Sequence, residues 1–338
     1  MQFNNTYNAI LETNDLDIGY TLKHAKACIA KELNIHIYEG EMVCLLGPNG
    51  SGKSTLIRTL AGMQKALSGT IFIKNKPVIH HNTGALAKQM SVVLTERVDI
   101  PNLNVYDLVS LGRFPHTNWF GKLTERDKEL VANAISQVGL NGFECRHFNT
   151  LSDGEKQRCM IAKALAQDTP FIMLDEPTAH LDLPNRIEIM KLLKELARKT
   201  FTSILLSTHE LDLALQVADR IWLMQNNKPL LCGTPEDLVL NGSFEQAFKK
   251  QSFDFDITNG LFKINHNHTD AASIEGEATY MFWTKRALAR HGYKIVEQNK
   301  TVPHICITNK SWTIHSSKGL KECSSIFNML IHLNKIKL

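Results

Sequence analysis

The chain has 338 residues, 43% of them hydrophobic, and a formal net charge of +4. That apolar content supplies a core and argues against disorder, and so small a positive charge does not mark a nucleic-acid binder. No apolar run approaches the length of a membrane span, and seven scattered cysteines without a C-x-x-C pair argue against a zinc ribbon or a disulfide framework.

Residues 255–338 carry 11 Lys/Arg against 6 Asp/Glu, and residues 1–254 carry 27 against 28. The body is near neutral and the tail mildly basic, which reads as ordinary solvated surface. The opening run Met1-Gln2-Phe3-Asn4-Asn5 lacks a signal-peptide pattern, so the expected place is the cytosol. Asp15–Tyr20 and Leu33–Tyr38 alternate as strands, with a turn at Glu39-Gly40-Glu41. Tyr20 can come back over the segment that follows and stack on a base, although an aromatic in a strand more often only packs.

Met42–Leu46 is an apolar strand leading into Gly47-Pro48-Asn49-Gly50-Ser51-Gly52-Lys53-Ser54-Thr55, and a helix begins there and runs to Leu60. This matches G-x-x-x-x-G-K-[ST] at every fixed position in the strand–loop–helix context that the motif needs. Glycines let the backbone approach a phosphate, and successive N–H groups at a helix start face the anion. Lys53 supplies a charge for the terminal phosphates and Ser54 a hydroxyl for Mg²⁺.

Gly69–Ile73 and Ser91–Leu94 read as strands, with a turn at Asn75-Lys76-Pro77. Asn104–Gly112 reads as a helix, Arg113–Thr117 as a loop, and Thr124–Val138 as a helix opened by a capping-box pattern. Leu151-Ser152-Asp153-Gly154-Glu155 precedes a helix through Ala166. Buried strands follow at Phe171–Leu174, Ser203–Ser207 and Ile221–Met224, alternating with helices at Asn185–Lys199 and Leu211–Ala218. Such alternation implies parallel strands with crossovers, an α/β core. Thr234 caps a further helix and Asn259-Gly260 marks a turn.

Beyond it the pattern changes, and a domain boundary is placed near residue 255. Strands are expected near Phe262–Asn265, Tyr293–Glu297, His304–Thr308 and Thr313–His315, and helices near Tyr280–His291 and Leu320–His332. His266 and His268 would share a strand face, which makes two metal ligands and lacks a third.

Asp175-Glu176 closes an apolar strand. The first carboxylate can hold Mg²⁺ and the second can polarise an attacking water. Ser152 and Gly154 at a helix start offer donors to a γ-phosphate, and His209 follows a buried strand, where it can reach the same phosphate or water.

The phosphate loop, LSDGE, DEPTAHLD and the STHE histidine stand in the order and spacing of the ATP-binding cassette ATPases, which the chain resembles over about residues 12–250. The resemblance implies an ABC-type P-loop NTPase. Its parts are a RecA-like core, an N-terminal antiparallel β-subdomain and a helical signature subdomain at about 97–165, together spanning 1–254. Residues 255–338 lie outside the resemblance and are expected to form a small α+β accessory domain that regulates the two cassettes or helps pair them. The resemblance implies a head-to-tail homodimer binding ATP and Mg²⁺. Gly47, Pro48, Asn49, Gly50, Ser51, Gly52, Lys53, Ser54 and Thr55 then bind phosphate and Mg²⁺, and Tyr20 stacks the adenine. Asp175 assists the metal, Glu176 is the base and His209 the switch histidine. Ser152 and Gly154 act on the opposite nucleotide, and Asp182 lies in the loop crossing the dimer interface.

Two positions depart from that family. Asp153 and Glu155 stand where LSGGQ has Gly and Gln, and Glu96 stands where a Mg²⁺-sensing Gln is usual. The string Leu111-Gly112-Arg113-Phe114-Pro115-His116 is similar to the L-G-R-x-P-H/Y string of importers for iron–siderophore, haem and vitamin B12. That implies two membrane permease subunits, a substrate-binding protein and a place on the cytoplasmic face of the plasma membrane. A single soluble cassette of the iron–sulfur assembly kind is the alternative, which would not need this string.

Overall fold

The computed structural model describes residues 8–21, 26–95, 102–118, 121–249, 253–297, 302–308, 310–317 and 319–337. The chain divides into two compact units, Met1–Lys249 with Phe255–Leu261, and Lys250–Asp254 with Phe262–Leu338.

The first unit opens with β1 (Ala9–Thr21), β2 (Lys26–Leu33) and β3 (His36–Tyr38). After β4 (Met42–Leu46) and α1 (Lys53–Leu60) come β5 (Ser68–Ile73) and β6 (Lys76–Pro77). The antiparallel sheet runs β2-β1-β5-β6, with β3 also paired to β1. The sequence pattern foresees part of β1 but reads Leu33–Tyr38 as one strand, where the structure has the end of β2 and then β3, and it misses the rest of β2, whose register with β1 slips twice between Leu16 and Gly19. Such bulges break the strict alternation that marks a strand in sequence.

A short α2 (Thr83–Ala87) precedes β7 (Met90–Val93), the edge of the second sheet. The helical region holds α3 (Val105–Ser110), α4 (Glu125–Gln137) and α5 (Asp153–Ala166). Asn104 caps α3 by accepting from the Asp107 N–H, and Thr124 and Asp127 form the expected capping box on α4. The expected loop at Arg113–Thr117 is instead a 3-10 helix over Leu111–His116. Buried partners hold it in that shape. Arg113 Nε donates to Asp127 Oδ1 at 2.8 Å, its Nη1 donates to the Ala166 carbonyl, and His116 Nε2 donates to the Gln167 carbonyl.

The second sheet is completed by β8 (Phe171–Asp175), β9 (Ser203–Ser207), β10 (Arg220–Leu223) and β11 (Leu231–Gly233), with α6 (Leu183–Thr200) and α7 (Leu211–Val217) as connections. Its order is β11-β10-β4-β9-β8-β7, parallel except for β11. Every residue of β4, β8 and β9 is buried, as strands covered on both faces require. Leu56, Ile57 and Leu60 of α1 share one core with Ile10, Leu16 and Ile18 of β1 and with Val43, Leu205 and Trp222 of the parallel sheet. Helices α8 (Pro235–Leu240) and α9 (Ser243–Phe248) follow, and β12 (Phe253–Asp256) and β13 (Leu261–Ile264) form a two-strand sheet where the units join in sequence.

The second unit is α+β. Its sheet runs β15-β14-β16-β17-β18, built from β14 (Asp270–Gly276), β15 (Tyr293–Ile295), β16 (His304–Thr308), β17 (Ser311–Ser316) and β18 (Gly319–Cys323). Helices α10 (Ala278–Arg290) and α11 (Ile326–Lys337) complete it. Ala272, Ile305, Ile307 and Ile314 form the core with Leu288 of α10 and Met329 and Leu333 of α11. Two expectations are corrected here. Leu320–His332 is not one helix, because its first residues pair with β17 as β18. His266 and His268 lie past the end of β13 and outside any strand, so they share no strand face.

Candidate nucleotide site

The site grows from the carboxyl ends of β4, β8 and β9. Gly52 has φ +104°, and a Cβ there would stand 2.3 Å from Ile29 Cγ2, so only glycine fits. Gly52 caps α1 with no side-chain acceptor, which leaves the first-turn N–H groups facing outward. Ser51 Oγ is buried without a hydrogen-bond partner, an orphaned donor inside the loop. Lys53 is 5% exposed, and its Nζ donates to the carbonyls of Gly47 (3.0 Å) and Pro48 (3.4 Å). Burial pulls its pKa down, against the opposing pull of Glu176 and Asp175. This donor set fits a polyphosphate.

Ser54 Oγ donates to Asp175 Oδ1 at 3.2 Å. A hydroxyl and a carboxylate oxygen so placed are hard donors of the kind Mg²⁺ takes. Asp175 Oδ1 also accepts from Ser207 Oγ at 2.6 Å, and its carbonyl accepts from Thr95 Oγ1. Glu176 follows with φ +51°, a left-handed backbone that a glutamate adopts only when its surroundings hold it. Its N–H donates to the hydroxyl and carbonyl oxygens of Ser207. The turn aims the side chain at His209, whose Nε2 donates to Glu176 Oε1 at 2.7 Å. Two residues far apart in sequence thus meet because β8 and β9 are parallel neighbours with Asp175 opposite Ser207.

Tyr20 is half exposed in β1, and its hydroxyl is 2.9 Å from Thr55 Oγ1, which places the ring beside the start of α1. Glu96 lies outside the described residues.

Ser152 caps α5, accepting from the Glu155 N–H while Glu155 Oε2 accepts from the Ser152 N–H at 2.7 Å. Glu155 therefore has a role in this helix start, and that contact together with Arg146 draws its carboxyl below the ordinary range. Asp153 is the first helical residue and needs no left-handed backbone. At Gly154 a Cβ would come within 2.5 Å of Asn185 Oδ1. Asn185 donates in turn to Asp182, which caps α6. Asn185 thus packs closely on Gly154 at the start of α5.

A cavity of about 400 Å³ is lined by Asp153, Lys156, Gln157, Asp175, Glu176 and His180 among others, and no residue from Gly47 to Thr55 belongs to its walls. Ser207, Thr95 and Asn185 are supporting residues that the sequence reading passed over. The signal for Ser207 was a hydroxyl closing the apolar run Ile204–Leu206. Among the described residues no helix is long and apolar enough to cross a membrane.

The chain is similar to known proteins over both of its units. The ABC transporter family model matches residues 30–179, and a model named Iron ABC transporter C-terminal domain matches residues 269–334. An uncharacterised ABC transporter ATP-binding protein of Methanocaldococcus jannaschii is 36% identical over 76% of this chain and 88% of its own. A petrobactin import ATP-binding protein of Bacillus anthracis is 33% identical over 83% of this chain and 96% of its own. Among solved structures, a bacterial ABC transporter cassette in dimeric form superposes with TM-score 0.58 at 25% identity, covering 67% of this chain and 98% of that one. The architecture is that of a RecA-like P-loop NTPase with an N-terminal β-subdomain, a helical subdomain and a small C-terminal α+β domain.

Proposed function

The chain belongs to the ATP-binding subunits of ABC transporters, and on that premise we propose that it hydrolyses ATP to drive uptake of an iron chelate through a separate permease. The observation that carries the hydrolytic part is the Glu176–His209 contact of 2.7 Å at the mouth of the phosphate loop. Glu176 takes the proton of the attacking water, and His209 orients that carboxylate. Lys53 leaves the Gly47 and Pro48 carbonyls for the terminal phosphates. Ser54 and Asp175 would hold Mg²⁺, which would supply neutralisation of phosphate charge. Tyr20 stacks on the base, and Glu96 is assigned to the metal from sequence alone.

The exposed start of α5 supports a head-to-tail dimer. Ser152 is exposed, and on this reading Ser152 and Gly154 complete the second copy's site, with Asp182 in the crossing loop. The iron-chelate reading rests on the petrobactin import relative, on the match at residues 269–334 and on the Leu111–His116 string. Arg113 and Gly112 of that string are buried, whereas Leu111 and Phe114 are exposed and available to two permease subunits at the cytoplasmic face. A substrate-binding protein would choose the chelate. Residues 255–338 are read as a regulatory or pairing domain.

Glu176→Gln tests the chemistry. Phosphate release should fall by about 10²- to 10⁴-fold while ATP affinity is kept. Unchanged turnover would remove Glu176 from its role.

A further inference from the structure

In the second unit, β14 and β16 run parallel with Ser273 opposite His304 and Glu275 opposite Cys306. Strand alternation puts these four on the sheet face opposite the helices, since Ala272, Ile305 and Ile307 fill the core. The Cys306 thiol donates to Glu275 Oε1 at 3.0 Å, and His304 Nε2 stands 3.3 Å from the same oxygen. His304 is 8% exposed, and its Nε2 is buried and out of line for a hydrogen bond. Its other nitrogen, Nδ1, is 2.9 Å from the buried Ser273 hydroxyl.

A buried ring nitrogen without a hydrogen bond is costly unless something else uses its lone pair. In the tautomer whose Nδ1–H donates to the Ser273 hydroxyl, Nε2 presents that lone pair to the thiol and carboxylate. Metal-binding histidines are held this way, with the far nitrogen fixed by a second partner. The ligand atoms of Glu275, His304 and Cys306 all lie within 4.8 Å of one another. A tetrahedral ion with bonds of about 2.0–2.3 Å sets its ligands about 3.3–3.8 Å apart, so small side-chain shifts suffice.

We propose that Glu275, His304 and Cys306 form a binding site for one divalent transition-metal ion of the zinc class. Nitrogen, sulfur and carboxylate donors together suit Zn²⁺, Co²⁺ or Fe²⁺ and disfavour Mg²⁺ and Ca²⁺. The ion replaces the thiol proton and leaves a fourth position for water. His315 of β17 stands directly opposite His304 of β16, ring centroids 6.2 Å apart. The site is independent of the nucleotide chemistry and does not use His266 or His268.

The full chain, free of nucleotide, is titrated with Co²⁺ as a spectroscopic probe. One Co²⁺ per chain is expected, with a thiolate-to-cobalt band in the near ultraviolet that Zn²⁺ abolishes and millimolar Mg²⁺ does not. Cys306→Ser should lose the band. Glu275→Gln and His304→Ala should bind at least about tenfold more weakly, and Ser273→Ala about 10- to 100-fold more weakly. Glu275 has an exposed side chain, so its variant tests the site without threatening the fold, and far-ultraviolet circular dichroism checks all four. No stoichiometric Co²⁺ in the wild type overturns the proposal. So does a band that survives Cys306→Ser, or an affinity unchanged in both Glu275→Gln and His304→Ala.

Discussion

Ser207 shows how much a single hydroxyl can organise. It donates to Asp175 Oδ1 and accepts from the N–H of Glu176, so it fixes both carboxylates of the strand end. Ser207→Ala leaves the Glu176 N–H with the Ser207 carbonyl alone and Asp175 Oδ1 with the longer Ser54 contact alone. Steady-state kinetics should show kcat reduced about tenfold or more with little change in KM for ATP, because positioning and not ground-state binding is lost. An equal rise in KM would instead make Ser207 part of the nucleotide contact. Lys53, Asp175, Glu176 and His209 were all readable as candidates in the sequence, since each sits in a short string with its own flanking pattern. Ser207 and Thr95 were not, because their partners are reached across strands, and register is invisible in one sequence.

At the scale of elements, the Leu111–His116 turn is held by Arg113 against Asp127, both buried. The Thr124 hydrogen bonds, aided by Arg113, hold the Asp127 carboxyl at about 2, below its ordinary value of 3.8. Its stabilisation is therefore complete above the ordinary value and disappears as pH falls towards 2. Asp127→Asn should lower stability at neutral pH by about 3 kcal/mol, leaving Arg113 buried without its counter-charge. Thermal melts from pH 5 down to pH 2 should converge for the two proteins, and parallel curves would contradict this account. The sequence announced these helices through their caps at Asn104 and Thr124. It did not announce the 3-10 turn, whose partners come from α4 and α5. Strand β14 was missed because Ala271, Ala272 and Ser273 lack the branched side chains that mark strands. Leu320–Cys323 was assigned to a helix because its pairing with β17 is decided by tertiary contact.

For the whole molecule, the α/β core was legible from alternating apolar runs, whereas the second unit's five-stranded sheet was only half foreseen. The prediction at this scale concerns assembly. With Glu176→Gln in place, saturating ATP should double the apparent mass in light scattering. Adding Ser152→Arg should restore the monomer while nucleotide affinity for the chain's own loop stays within about threefold. A chain that remains monomeric with ATP and Glu176→Gln would refute the shared site.

The two carbonyls that hold Lys53 carry a further consequence. An ammonium kept 5% exposed by neutral dipoles is an expense to the folded chain, as its lowered pKa records. The stability of the empty protein should rise with pH as Lys53 loses its proton. Lys53→Met should therefore melt at a higher temperature than the wild type in the absence of nucleotide, while losing ATP affinity. A lower melting temperature would mean that the two carbonyl contacts outweigh burial. Tolerating a less stable resting fold is, on this view, what makes the loop ready for phosphate, a trade of durability for function set by one side chain.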